Sequence, residues 1–129
     1  METGTPEILE RLSALKGKKL TGYGSDEISE SARNRVRAAA GVPEGDVFFL
    51  SGGTQTNAVV IDTMLRPYEG VIAAHTGHVS AHEAGAIEHG GHKVLEIPAV
   101  DGKIRAEQIA ETADAYWKDE NHDHLVMPA

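Results

Sequence analysis

The chain contains no cysteine, which excludes disulfides, thiolate catalysis and cysteine-ligated zinc. It has no basic run either: 12 Lys and Arg stand against 20 Asp and Glu, for a formal net charge of −8. Double-stranded nucleic acid is therefore not an expected partner, because binding it needs local cationic density to displace counterions. No apolar run approaches membrane-spanning length, and the N-terminus lacks the hydrophobic region of a signal peptide. The expectation is a soluble, cytoplasmic protein with no membrane partner. Internal repeats and low-complexity segments are also missing. What is present is ordinary globular composition, 40% hydrophobic and 25% charged over 129 residues, enough for one domain with a core of moderate size.

Two helices are expected first, within residues 5–41. Thr5-Pro6-Glu7 combines an N-cap, a proline at the first helical position and an acid in the first turn, and Ile8, Leu9, Leu12 and Leu15 share a face, with Gly17 able to end it. Ser25 is the expected cap of the second, with Asp26 and Glu27 in its first turn and Ile28, Ala32, Val36, Ala39 and Ala40 as its apolar face; Gly41 and Pro43 close it. From about residue 46 the pattern alternates. Val47–Leu50, Val71–Ala74 and Lys93–Ile97 read as strands, and Leu125–Met127 as the start of a fourth. Gln55–Leu65, Val79–Glu88 and Arg105–Trp117 read as helices, with Gly90-Gly91 as a break and Asp101-Gly102 as a turn. Such alternation implies right-handed βαβ units, an α/β fold with a mostly parallel sheet and flanking helices.

One stretch, "FFLSGGTQTNAVVIDTMLRP" (Phe48–Pro67), runs from an apolar segment through Ser51-Gly52-Gly53-Thr54 into a helical pattern. A helix begun this way leaves its first N–H groups unpaired, and with the positive end of the helix dipole they form an anion site. The glycines would let a phosphate approach the backbone, and the Ser51 and Thr54 hydroxyls could add hydrogen bonds. The stretch fits neither G-x-G-x-x-G nor G-x-x-x-x-G-K-[ST]. A tight βα turn with Thr54 as an N-cap and no ligand accounts for the same residues.

Three segments together carry a resemblance: "GYGSDEISESARNRVR" (Gly22–Arg37), "FFLSGGTQTNAVVIDTMLRPYEGVIAAHTGHVSAHEAGAIEHGGHKV" (Phe48–Val94) and "DGKI" (Asp101–Ile104). In order and spacing they resemble the threonine aldolase and β-eliminating lyase family, in its low-specificity threonine aldolase branch. The resemblance implies the large domain of the fold-type I enzymes that depend on pyridoxal 5′-phosphate (PLP), and a lyase of amino acid metabolism. The activity it implies is cleavage of threonine or a related β-hydroxy-α-amino acid to glycine and an aldehyde. It implies that Gly53 and Thr54 hold the PLP phosphate, with Ser51, Gly52 and Gln55 beside them and Asn57 following. His78 would stack on the pyridine ring, and His82 would lie on the substrate side. Glu83 opens the family's Glu-Ala-Gly segment. Tyr23–Glu27 match a loop near the active site at a subunit interface, so a homo-oligomer, dimer or tetramer, is implied for the full-length enzymes.

The family's Schiff-base lysine, its pyridine-pairing aspartate and its carboxylate-binding arginines have no counterpart here. Lys16, Lys18, Lys19, Lys93, Lys103 and Lys118 read as solvated surface charges. Residues 1–129 are therefore expected to be the N-terminal part of a cofactor domain, inactive alone, or else a non-catalytic truncated or split-protein fragment. A further alternative is a metal-binding module, since His75, His78 and His82 follow H-x-x-H-x-x-x-H. H-E-x-x-H is absent, and no metal is expected. His89 and His92 read as exposed turn residues, "KDENHDH" (Lys118–His124) as a solvated loop, and Tyr116 and Trp117 as packing.

Overall fold

The computed structural model describes residues 4–129, in two compact units that divide between Phe49 and Leu50. In the first unit, Thr5 is the N-cap and Pro6 opens helix α1, Pro6–Ser13. A proline costs nothing there, because the N–H it lacks has no helical acceptor. Helix α2, Glu27–Ala40, follows. Its cap is Asp26 and not Ser25. The Asp26 carboxylate accepts the Ile28 and Ser29 N–H groups at 3.0 and 2.9 Å and the Ser29 hydroxyl at 2.6 Å. The Ser25 hydroxyl donates to the Gly22 carbonyl instead. A carboxylate takes several donors at once and carries the charge that the helix start favours. Gly41 ends α2 in the left-handed conformation. Two side chains of α2 fasten the chain that follows it: Arg33 Nε donates to the Val47 carbonyl and Arg37 Nε to that of Gly45. Both guanidinium groups also pair with Glu30 at 3.1 Å.

The expected strand Val47–Leu50 does not form; these residues have no strand partner among the described residues. Phe48 is 80% exposed. Val47 gives its carbonyl to the Arg33 Nε of α2 instead of to a strand, and an apolar run shows β tendency without supplying a partner. The sheet consists of β1, Glu69–Ala74, between β2, Val94–Ile97, and β3, Met127–Pro128.

The second unit is an α/β arrangement around this sheet of order β2-β1-β3, with both pairings parallel. Val71, Ile72, Ala73 and Ala74 stand opposite Val94, Leu95, Glu96 and Ile97, and Glu69 opposite Met127. Helix α3, Gly53–Met64, precedes β1. The segment expected as one helix over Val79–Glu88 is two short ones, α4, His78–Ala81, and α5, Ala86–His89. Ala84 and Gly85 both take positive φ, 51° and 74°, which no helix interior accommodates. Helix α6, Ala106–Lys118, has its start fixed by Gln108, whose Oε1 accepts the Arg105 N–H while its Nε2 donates to the Pro98 carbonyl. A short 3-10 turn, His122–His124, leads into β3. The turn at Asp101-Gly102 is closed by paired hydrogen bonds between Val100 and Lys103. No helix among the described residues is long and apolar enough to cross a membrane.

Ile87, Ile97 and Val94 are the buried apolar side chains. His92 joins them, against the expectation of an exposed turn residue. It is 5% exposed, with its Nδ1 3.2 Å from the Glu69 carbonyl and its Nε2 3.4 Å from Asp62 Oδ1. The turn at Gly90-Gly91 folds His92 back onto the start of β1, where the Glu69 carbonyl accepts a hydrogen bond from its ring. His89 stays exposed.

Gly70 marks the tightest point of the sheet. A Cβ there would lie 2.8 Å from the Lys93 carbonyl oxygen and 2.7 Å from a Val126 methyl. Gly70→Ala should therefore destabilise the protein by about 1–3 kcal/mol, the usual cost of overpacking, measured as a lowered urea midpoint. An unchanged midpoint would mean that β1 and β2 are not held this close.

Candidate functional site

Helix α3 begins without a side-chain cap. Its N-cap, Gly52, is fully extended, at φ 178° and ψ 172°. The N–H groups of Gly53, Thr54 and Gln55 come before the first helical acceptor and point out of the helix start; the first helical bond is Thr56 N–H to the Gly52 carbonyl, at 3.0 Å. Thr54 is thus inside the helix and is not its cap. The Gln55 side chain folds backward, where its Oε1 accepts both the N–H and the hydroxyl of Ser51 at 2.9 Å. The turn is held by this clasp and by the Thr56 hydroxyl on the Gly52 carbonyl, so its shape does not depend on capping the free N–H groups. No atom lies within 4 Å of where a Cβ would stand on Gly52 or Gly53.

Ser51, Gly52, Gly53, Thr54 and Gln55 line one wall of an open cleft of about 930 Å³. Its other wall is formed by Glu83, Ala84, Gly85, Ala86, Glu88 and His89. His78 and His82 are not among the cleft's lining residues, but His78 is tied to Glu83, which is. The His78 Nδ1 lies 2.8 Å from Glu83 Oε1, and the same oxygen accepts a hydrogen bond from Asn57 Nδ2, one turn along α3 from Gly53. The His78 and His82 rings lie with centroids 5.6 Å apart, tilted by 56°. Both rings belong to exposed residues.

Glu83 is the buried charge of the site. Its side chain is 0% exposed, and its Oε2 has no hydrogen-bond partner. Burial is the largest single influence on its carboxyl and pushes the pKa up. The hydrogen bonds from Asn57 and His78 and the His78 charge together prevail, so the net displacement is below the ordinary 4.5. Glu83 is therefore an ionised acceptor, and Nδ1 of His78 must be the donor.

His75 stands apart from this group. It follows β1, and its Nδ1 accepts the Ala99 N–H at 3.0 Å. A neutral ring then carries its proton on Nε2, which leaves no lone pair for a metal. Among the described residues no three His, Asp or Glu side chains are arranged to hold a metal ion. Tyr23, in the loop before α2, is fully exposed with φ 63°. Two long-range links have no local pattern in the sequence: the one from Asn57 to Glu83 spans 26 residues, and the structural one from His92 to Glu69 spans 23.

Comparison with known proteins adds three findings. The family model for β-eliminating lyases matches residues 1–125. Two low-specificity L-threonine aldolases, from Pseudomonas sp. (strain NCIMB 10558) and Pseudomonas aeruginosa, are 31% and 30% identical over 93 residues. Each match covers 70% of this chain and 27% of the relative. The solved structure of Leishmania major threonine aldolase superposes with a TM-score of 0.88 at 40% identity, over 96% of this chain and 35% of that one. The chain thus spans about a third or less of the length of these relatives.

The displaced carboxyl of Glu83 has a consequence for acid stability. A folded pKa below the unfolded value contributes stability above the ordinary carboxyl value of 4.5, and that contribution is lost as pH falls through the lower folded value. Glu83→Gln should flatten this part of the acid limb. The urea midpoint of the wild type should fall more steeply than that of the variant on acidification through and below the carboxylate range. Parallel curves would show that Glu83 does not titrate as the contacts require.

Proposed function

The chain belongs to the β-eliminating lyase family, and on that premise we propose that it carries the phosphate-holding part of a PLP-dependent threonine aldolase. The substrate class is threonine or a related β-hydroxy-α-amino acid, cleaved to glycine and an aldehyde. The observation that carries this reading is the pair Gly52-Gly53. Gly52 is extended, a conformation open to any residue, Gly53 is helical, and a side chain on either would meet nothing within 4 Å. Neither backbone nor packing calls for glycine here, whereas an anion approaching the backbone does.

The residues present fit the phosphate end of such a cofactor. The N–H groups of Gly53, Thr54 and Gln55 would take the phosphate oxygens, with the Thr54 hydroxyl beside them and the Ser51–Gln55 clasp keeping the turn in shape. His78 would lie against the ring and His82 on the substrate side. When bound, PLP supplies an electron sink that lets a bond at the amino acid's Cα break. No lysine lines the cleft, so the chain by itself binds without turning over threonine. Assembly as a dimer or tetramer belongs to the same reading.

The test uses pyridoxine 5′-phosphate, which has the ring and the phosphate but no aldehyde to react with surface lysines. Titrated into this chain and followed by calorimetry, it should bind the wild type. Thr54→Ala should lose about 1 kcal/mol, roughly a fivefold weakening. Gly53→Val, which places a branched side chain in the anion's path, should lose more. Both variants should keep the far-ultraviolet circular dichroism of the wild type, because nothing packs against Gly53. Equal affinity in all three proteins would mean that the glycines form only a turn.

A further inference from the structure

The proposed site leaves Glu83 without a role, although it is the most buried charge among the described residues. Its side chain is fully shielded from solvent, and one of its two oxygens has no partner. For stability alone that is a poor arrangement. An unpartnered buried polar atom costs free energy, and an apolar residue of similar size serves a fold as well or better. The backbone beside it is also unusual. Ala84 follows at φ 51°, an uncommon conformation for a residue with a Cβ, and with Gly85 it separates α4 from α5. Strain next to a buried and incompletely paired carboxylate is the combination found where a side chain is held for a task.

We propose that Glu83 is a positioning residue, which, steadied by Asn57, fixes the His78 imidazole with its proton on Nδ1 and its lone pair on Nε2. An ionised carboxylate only accepts hydrogen bonds, so the 2.8 Å contact requires Nδ1–H. Asn57 Nδ2 donates to the same Oε1, so helix α3 anchors the acceptor from the far side. The neutral ring is then left with Nε2 as its only acceptor, on a side chain that is 61% exposed. Imidazole side chains in water favour the opposite form, with the proton on Nε2. The plane of the ring is set along with the tautomer, because the hydrogen bond lies in that plane. A ring free to turn would present either nitrogen and a variable face, whereas this one presents a single face and a single acceptor. The neighbouring His82 ring, 5.6 Å away, makes no hydrogen bond to it that could set the tautomer. What this serves rests on the reading above, in which His78 lies against the cofactor ring. The tautomer itself does not depend on that reading.

The experiment has two arms. In the first, the whole chain is labelled with ¹⁵N-histidine and long-range proton–nitrogen spectra are recorded without any ligand, at a pH above the ordinary histidine value of about 6.5. The His78 signals, assigned through His78→Gln, should show the Nδ1–H pattern. Glu83→Gln should keep it, since the amide oxygen can take the place of Oε1. Glu83→Leu, which fills the buried space with carbon, should shift His78 to the Nε2–H pattern. An Nε2–H pattern in the wild type, which needs no variant, overturns the proposal, as does an unchanged pattern in Glu83→Leu.

In the second arm, pyridoxine 5′-phosphate and inorganic phosphate are titrated into the same proteins. Glu83→Leu should weaken the ring-bearing ligand about two- to tenfold, the range of one hydrogen bond's net contribution. Phosphate affinity should stay unchanged, and Glu83→Gln should match the wild type for both ligands. Loss of phosphate affinity in Glu83→Leu would make Glu83 a general support of the fold and overturn its positioning role. Failure of either ligand to bind the wild type would sink the cofactor reading and leave the tautomer result standing.

Discussion

The parallel pairing of β1 with β2 is the constraint on which the second unit depends. Parallel strands end on the same side of a sheet, and in open α/β sheets ligands are met beyond those carboxyl ends. Here that places the chain leaving β1, Ala74 to His78, beside the chain leaving β2, Ile97 to Ala99. The two exits are laced together: the His75 N–H donates to the Ile97 carbonyl, and the Ala99 N–H donates to the His75 ring. His75 is thus spent on structure, and its position holds the start of α4, and with it His78, in place. The Gly77 N–H on the Ala74 carbonyl, at 2.7 Å, tightens the same turn. At the other end of β1, Glu69 gives its carbonyl to His92.

Two kinds of charge share the cleft, and their compatibility explains its layout. The start of α3 offers free N–H groups that favour an anion, yet Glu83 and Glu88 line the opposite wall. Glu83 would repel a phosphate were its charge open to the cleft. Instead, its one engaged oxygen faces Asn57 and the His78 ring, and no part of the side chain reaches solvent. The charge is thereby shielded from solvent and partly neutralised by the donors from Asn57 and His78.

The parts of this architecture that were legible in the sequence are those decided within a few residues. Val71–Ala74 is a short apolar run between turn signals, and it is a strand. Ser51-Gly52-Gly53-Thr54 shows its helix start because glycine followed by polar residues has few other uses, although the structure puts the cap at Gly52 and not at Thr54. Where two neighbours compete for one task, pattern alone misplaced it: Ser25 and Asp26 are both good caps, and the carboxylate won. Val47–Leu50 carries the same apolar signature as the true strands, but a strand also needs a partner, and no local pattern shows whether one is supplied. Burial of polar side chains is the least legible of all. His92 and Glu83 look like surface residues until β1 and α3 supply their partners.

The unpaired segment Val47–Leu50 also bears on the colloidal behaviour of the chain. It presents Phe48, Phe49 and Leu50 with 80%, 54% and 40% of their surfaces open to water. Such a segment can template pairing with a second strand, including the same segment of another molecule. Opposing this is the net charge of −8, which keeps molecules apart at neutral pH. That repulsion vanishes near the isoelectric point of about 5.3, so mild acid lets the exposed segments meet. The protein is best kept at neutral or slightly alkaline pH and low salt, where its charge, and not its sequence at 47–50, governs how molecules meet.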